Sequence, residues 1–139
     1  MTKRREPRLF RYVLPGGWVV LAGRTDEDNE RLSLSLAKPD DLWFHVRGMP
    51  GSHVVLRVAA GEDPDRETVR AAAAIAAYHS KARQGGTVPV SCTRARDVTK
   101  PRGAPRGTVQ IRNEKLVKVR PGRPEAEAAA GPPPDDESW

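Results

Sequence analysis

Asp40-Asp41-Leu42-Trp43-Phe44-His45-Val46-Arg47-Gly48-Met49-Pro50-Gly51-Ser52-His53-Val54-Val55-Leu56-Arg57 is the stretch whose reading decides the fold of this chain. Successive side chains of a strand point to opposite faces, so Leu42, Phe44 and Val46 share one side while Trp43, His45 and Arg47 share the other. After the Pro50-Gly51 turn, Val54, Leu56 and Val58 alternate in the same way with His53, Val55 and Arg57. The pattern predicts a hairpin with one apolar face and one face free to bind. Gly51 and Ser52 carry no bulky group, which leaves backbone amides near the turn open to an anion.

Working outward, Phe10 to Gly23 reads as two strands around Pro15-Gly16-Gly17, and Thr25-Asp26-Glu27-Asp28-Asn29-Glu30 as the acidic start of a short helix reaching Leu36. Asp63 as N-cap and Pro64 at the first helical position open a longer helix. Its face carries Val69, Ala72, Ala73, Ile75, Ala76 and Tyr78, and it runs past Lys81 and Arg83 to stop at Gly85-Gly86. Thr87 to Thr93, Thr108 to Arg112 and Leu116 to Arg120 read as strands, the last two joined through Asn113-Glu114-Lys115 as a tight hairpin. The expected fold is α+β: a single small domain with a mixed or antiparallel sheet, one main Ala-rich helix and a shorter one. Its expected limits are residues 10–120, between a flexible basic arm at 1–9 and a disordered acidic Pro/Ala-rich tail at 121–139.

The 139 residues, 37% of them hydrophobic, suffice for one such domain and leave no room for a second, catalytic one. No run approaches the eighteen or so apolar residues of a membrane span, and the N-terminus lacks the apolar stretch of a signal peptide, so a soluble, cytoplasmic protein is expected. Cys92 is the single cysteine, which rules out an intramolecular disulfide and a cysteine-rich zinc site. The net charge of +6 is unevenly spread. Residues 81–123 hold twelve Lys or Arg against two acids, residues 1–80 hold twelve against eleven, and residues 124–139 hold five acids and no base. So segregated a basic region suits a polyanion, because neutralising phosphates releases counterions.

His45 and His53 fall on the same face if the turn keeps simple register, and they flank one shallow site that can stack on bases or donate to phosphate. The rival reading is a pair of packed histidines satisfied by backbone hydrogen bonds; Trp43 and Tyr78 likewise read either as core aromatics or as stacking surfaces. Lys81 and Arg83 suit a helix C-terminus with or without a ligand. Arg47, Arg57, Arg94, Arg96, Lys100, Arg102 and Arg106 can grip phosphates, the last three from an exposed Pro/Gly-rich loop. Asp41 with the two histidines makes a three-ligand set on paper only, without ligand spacing to support it. No metal, cofactor or catalytic residue is therefore assigned.

Together with Ala76-Ala77-Tyr78-His79-Ser80-Lys81-Ala82-Arg83, Val88-Pro89-Val90, Gly23-Arg24, Asn29-Glu30, Val98-Thr99-Lys100-Pro101 and Pro105-Arg106-Gly107, the hairpin resembles the NFACT-R domain, from about Phe10 to Arg120. The chain departs from the family pattern at Thr25 and at Ser91-Cys92-Thr93. The family occurs near the C-terminal end of ribosome quality-control tailing factors and as small free-standing proteins, and the chain resembles the latter. The resemblance implies RNA binding, to tRNA or ribosomal RNA, in translation, ribosome quality control or RNA modification, without tail synthesis by this chain alone. It implies RNA contact by at least one of Lys81 and Arg83, Lys81 first, and favours a nucleic-acid surface for His45 and His53. With the phosphate-binding candidates, the expected contacts are Arg24, His45, Arg47, Ser52, His53, Arg57, Ser80, Lys81, Arg83, Arg94, Arg96, Lys100, Arg102 and Arg106, with the large ribosomal subunit or an RNA-modifying enzyme as further partners. Three alternatives stay open: an RNA-modification enzyme or its substrate-presenting subunit, with His45, His53, Asp41 and Cys92 as its acid, base or nucleophile; a DNA-binding protein; and a protein-interaction module on the ribosome. The sequence leaves the oligomeric state undetermined.

Overall fold

Alternating burial organises the chain from its first strand. In β1 (Leu9–Leu14), Phe10, Tyr12 and Leu14 are buried while Arg11 and Val13 face solvent. It pairs with β2 (Trp18–Gly23) across the expected Pro-Gly-Gly turn. The computed structural model describes residues 8–124 and the backbone of Ala129–Ala130. Most of the expected basic arm, and all of the expected acidic tail beyond residue 124 except Ala129–Ala130, lie outside the described residues.

The central hairpin is β3 (Leu42–Val46) and β4 (Val54–Leu56), in register Leu42↔Leu56, Trp43↔Val55 and Phe44↔Val54. β5 (Val88–Arg94) lies on the other side of β3, and β8 (Lys115–Val119) beyond it. All ladders are antiparallel, in the order β8-β5-β3-β4-β2-β1, with Ala129–Ala130 (β9) against Arg11 and Tyr12 of β1. A second ribbon of two short strands, β6 (Val98–Thr99) and β7 (Gln110–Ile111), stands apart. The fold is α+β, as the sequence indicates.

Helix α2 (Arg66–Tyr78) covers one face of the sheet. Its buried Ala72, Ala73, Ile75, Ala76 and Ala77 meet Phe10, Tyr12, Val20, Leu42, Phe44, Val46, Val54 and Leu56 in the main core. Alanines let the helix axis approach the strands closely, and each large side chain removed from water contributes roughly 1.5–3 kcal/mol. Its limits correct the sequence reading at both ends. The N-cap is Asp65, not Asp63, because the Asp65 carboxylate accepts from Thr68 N at 2.7 Å. The helix ends at Tyr78, well short of Gly85-Gly86, because the next residues bond to the hairpin loop: Ser52 N donates to His79 O at 2.8 Å and Lys81 N to Pro50 O at 3.1 Å.

The other face of the hairpin, expected to be free to bind, is partly covered. Helix α1 (Asp26–Arg31), capped by Thr25, continues into a π-helical turn (Leu32–Leu36). Leu32 from that turn joins Trp43, Val55 and Val98 in a second, smaller core, with Ile111 of β7 packed on it. The expected hairpin between Thr108–Arg112 and Leu116–Arg120 is also replaced: β7 pairs with β6, β8 pairs with β5, and Asn113 turns the chain at φ 58°. Covering Trp43 requires the β6–β7 ribbon, and that burial outweighs a local turn.

Candidate nucleic-acid interface

Where the second core ends, the sheet opens into a groove floored by histidines. One pair past Phe44↔Val54, His45 stands opposite His53, their rings 5.5 Å apart and edge to face. The face-sharing inferred from alternation therefore holds. Trp43 lies 5.3 Å from the His53 ring and 6.0 Å from that of His45, stacked on the latter at 19°. Trp43 and His53 are buried, whereas His45 is half-buried.

Each ring is held by a partner that local structure supplies. Trp43 Nε1 donates to Ser33 Oγ at 2.8 Å, and Ser33 Oγ shares a 2.7 Å hydrogen bond with His53 Nδ1. His53 N donates to Asn29 Oδ1 at 3.0 Å. Asn29 of α1 and Ser33 of the π-helical turn that continues it are four residues apart, a spacing that puts both on one side of the helix. Gly23 lets α1 come this near: a Cβ there would stand 2.0 Å from Asn29 Oδ1. Burial pushes His53 down to about 3, helped by the neighbouring His45, and burial lowers His45 as well. Both imidazoles are neutral at pH 7, acting as stacking and hydrogen-bonding groups rather than as cations.

Two adjoining clefts meet at these rings. One, of about 400 Å³, is lined by Asp26, Asn29, Pro50, Gly51 and Gly107 together with His45 and His53. The other, of about 300 Å³, shares Gly107 and both histidines and adds Trp43, Arg47, Gly48, Ser91, Thr108, Val109 and Ile111. The groove has two unlike rims. On the far side, Gly107 N donates to Glu30 Oε1 at 3.0 Å, Lys100 Nζ pairs with the same oxygen at 2.9 Å, and Arg106 reaches Glu27 at 3.4 Å. The Gly107 amide and the Lys100 ammonium hold the Glu30 carboxyl below the usual carboxylate range. On the near side, Arg47 and Lys81 are exposed and form no ion pair among the described residues. The same face continues across β5 at Ser91, whose hydroxyl donates to Glu114, and onto β8 at Leu116, 45% exposed, with Lys118 next along that strand.

The remaining residues singled out from the sequence are dispersed. Ser52 is fully buried and its Oγ donates to Gly23 O at 2.5 Å; buried Ser80 donates to Ala77 O and accepts from Ala82 N. Arg24 is buried with its guanidinium 5.2 Å from the Phe10 ring centre. Arg83 lies over Tyr78 at 4.3 Å and donates to its carbonyl. Arg57 pairs with Asp41 at 2.9 Å, Arg94 donates to Asp40 O and Arg96 pairs with Asp40, all at the opposite end of β3. Arg102 is exposed on the far loop. The acid–base–nucleophile set considered from the sequence is not assembled. Asp41 accepts from Val58 N, Lys38 N and Arg57, while Cys92 faces the main core, its thiol pushed up to about 11 by burial. Among the described residues no group of three His, Cys, Asp or Glu is placed to hold a metal ion. Ser33 carries no motif in the sequence, and Asn29 and Gly107 stand there only within longer runs; the i,i+4 spacing of Asn29 and Ser33 is the one signal that points to them.

Comparison with known proteins gives the domain its class, an RNA-binding one. Residues 8–113 match the NFACT protein RNA binding domain, and the chain belongs to that family. It is 41% identical over 119 residues to the Rqc2 homolog RqcH of Bacillus subtilis strain 168, and 38% identical over 119 residues to that of Streptococcus suis strain 05ZYH33. Each alignment covers 86% of this chain; the chain spans only about a fifth of either relative, 20% and 21%. The solved C-terminal part of the fibronectin/fibrinogen-binding protein from Streptococcus suis superposes with a TM-score of 0.77 at 37% identity, over 91% of this chain and 49% of the other. Among the described residues, no helix is long and apolar enough to cross a membrane.

Proposed function

We propose that this domain binds tRNA or ribosomal RNA through the groove between the β3–β4 loop and the 100–107 loop, within translation, ribosome quality control or RNA modification. The observation that carries the reading is the groove itself: neutral rings on its floor, and two cations on its near rim, Arg47 and Lys81, that no acid among the described residues engages. The surplus of bases between residues 81 and 123 supplies the long-range attraction. His45, Arg47 and Lys81 are the direct contacts in this proposal. Ser52, His53, Ser80 and Arg24 act by holding the groove's walls, and Arg57, Arg94 and Arg96 by bracing the far end of the sheet. Similarity to the Rqc2 homolog RqcH supports a place beside the large ribosomal subunit.

Crosslinking in cells followed by sequencing of the bound RNA tests the proposal, with an Arg47→Ala, Lys81→Ala double variant as control. Recovery of tRNA or one ribosomal region, absent with the variant, is expected. Recovery of subunit proteins with no RNA crosslink would replace this reading with a protein-interaction role.

A further inference from the structure

The groove is a recess, and its cations are arranged on one side only. Both facts bear on the form of RNA it takes. Paired bases in an A-form duplex are stacked inside the helix and present a convex backbone, so they cannot fill a recess, whereas unpaired bases can be splayed into one and stacked on a side chain. Of the three rings on the floor, Trp43 and His53 are closed off and only His45 remains half exposed, so a ligand's stacking contact must be made there. The far rim already satisfies Lys100 and Arg106 with Glu30 and Glu27, while the near rim offers Arg47 beside one cleft and Lys81, bonded to Pro50, beside the other. A strand is thereby oriented with its phosphates along the β3–β4 loop and its bases inward.

We propose that the groove receives one unpaired nucleotide, its base stacked on His45 and its flanking phosphates held by Arg47 and Lys81. This rests on the RNA-binding reading above and adds single-strandedness to it. Its volume, about 300–400 Å³ on either side of the shared rings, suits a single heteroaromatic group.

The test uses the whole chain and a fluorescent twelve-nucleotide RNA without self-complementarity, carrying 2-aminopurine at successive positions, alone and annealed to its complement. The single strand is expected to bind more tightly than the duplex, with 2-aminopurine fluorescence quenched on binding. His45→Ala should weaken single-strand binding at least about fivefold, the lower end of one base–aromatic stack, and abolish the quenching. His45→Tyr, which keeps a ring, should retain both. Equal or tighter binding of the duplex with no quenching would overturn the unpaired-nucleotide inference and leave RNA binding standing. Equal losses in the alanine and tyrosine variants would overturn stacking. Failure of both RNAs to bind would remove the RNA reading as well.

Discussion

Gly51 pairs with Ser80 in an isolated antiparallel bridge that ties the β3–β4 loop to the end of α2. A Cβ on Gly51 would stand 2.7 Å from Ser80 Cβ and 3.1 Å from His79 O, a separation at which backbone must move. The bridge, with Lys81 N bonded to Pro50 O at 3.1 Å, keeps Lys81 beside the loop that follows Arg47. Gly51→Ala is therefore expected to cost about 1–3 kcal/mol through overpacking, seen as a lower midpoint in urea, and to weaken RNA binding more than the loss of stability explains. An unchanged midpoint would show that the loop is not held here.

Ser33 stands between two buried rings, accepting from Trp43 and bonding His53. Ser33→Ala leaves the Trp43 N–H and His53 Nδ1 without that hydroxyl in a closed site, which costs about 1–3 kcal/mol. Thermal unfolding followed by tryptophan fluorescence checks this. A loss of stability without a shift in the emission of the folded state would locate the effect away from Trp43.

Lowering the pH should destabilise the domain between about 6.5 and 3. Burial depresses His53 and His79 to about 3 in the fold, His79 being enclosed against Phe10 and sharing a 2.6 Å hydrogen bond with Tyr12. Unfolded, both titrate near 6.5. The unfolded chain thus binds more protons in this window, so the stability is fully present above about pH 6.5 and declines as pH falls. The slope is at most about 1.4 kcal/mol per pH unit for each histidine. Urea titrations at stepped pH measure it, and a flat profile from 6.5 to 4 would contradict the neutral buried state.

The acid-tied rim and the open rim should differ in salt dependence. Replacing Arg47 and Lys81 together is expected to reduce the slope of log affinity against log salt by about 0.7 for each phosphate that is no longer neutralised. Replacing Lys100 and Arg106 should reduce it less, because Glu30 and Glu27 already hold them. Equal changes would mean that the acids release the far rim on binding.

The Glu30 carboxylate closes the far wall by accepting from both Gly107 N and Lys100 Nζ. Glu30→Gln should leave global stability within about 1 kcal/mol, since the pair is partly exposed, yet speed amide hydrogen exchange at Gly107 and Thr108. Unaltered exchange would assign the loop's placement to other neighbours.

Period-two alternation was enough to bring out β1, β2 and the β3–β4 hairpin, because side-chain direction in a strand is a local property of the backbone. It also placed His45 and His53 together, since their pairing follows from the register of one short hairpin. The charge of the 81–123 segment and the resemblance to an RNA-binding family were equally legible, being carried by residue identity alone.

Tertiary structure decided what covers what. Asp63-Pro64 was a sound helix start by local chemistry, yet Asp65 caps α2; its far end yields to hydrogen bonds with Pro50 and Ser52, which lie well before the helix in the chain. The 108–120 hairpin gave way to burial of Trp43 under β6 and β7. Which arginines and lysines are open to phosphate depends on acids far along the chain, Glu27 and Glu30 against the 100–107 loop, Asp40 and Asp41 against Arg57 and Arg96. Local conformation and net charge are sums over neighbours and can be read in order; burial and ion pairing depend on residues far apart in sequence meeting one another, which happens only once the chain has folded.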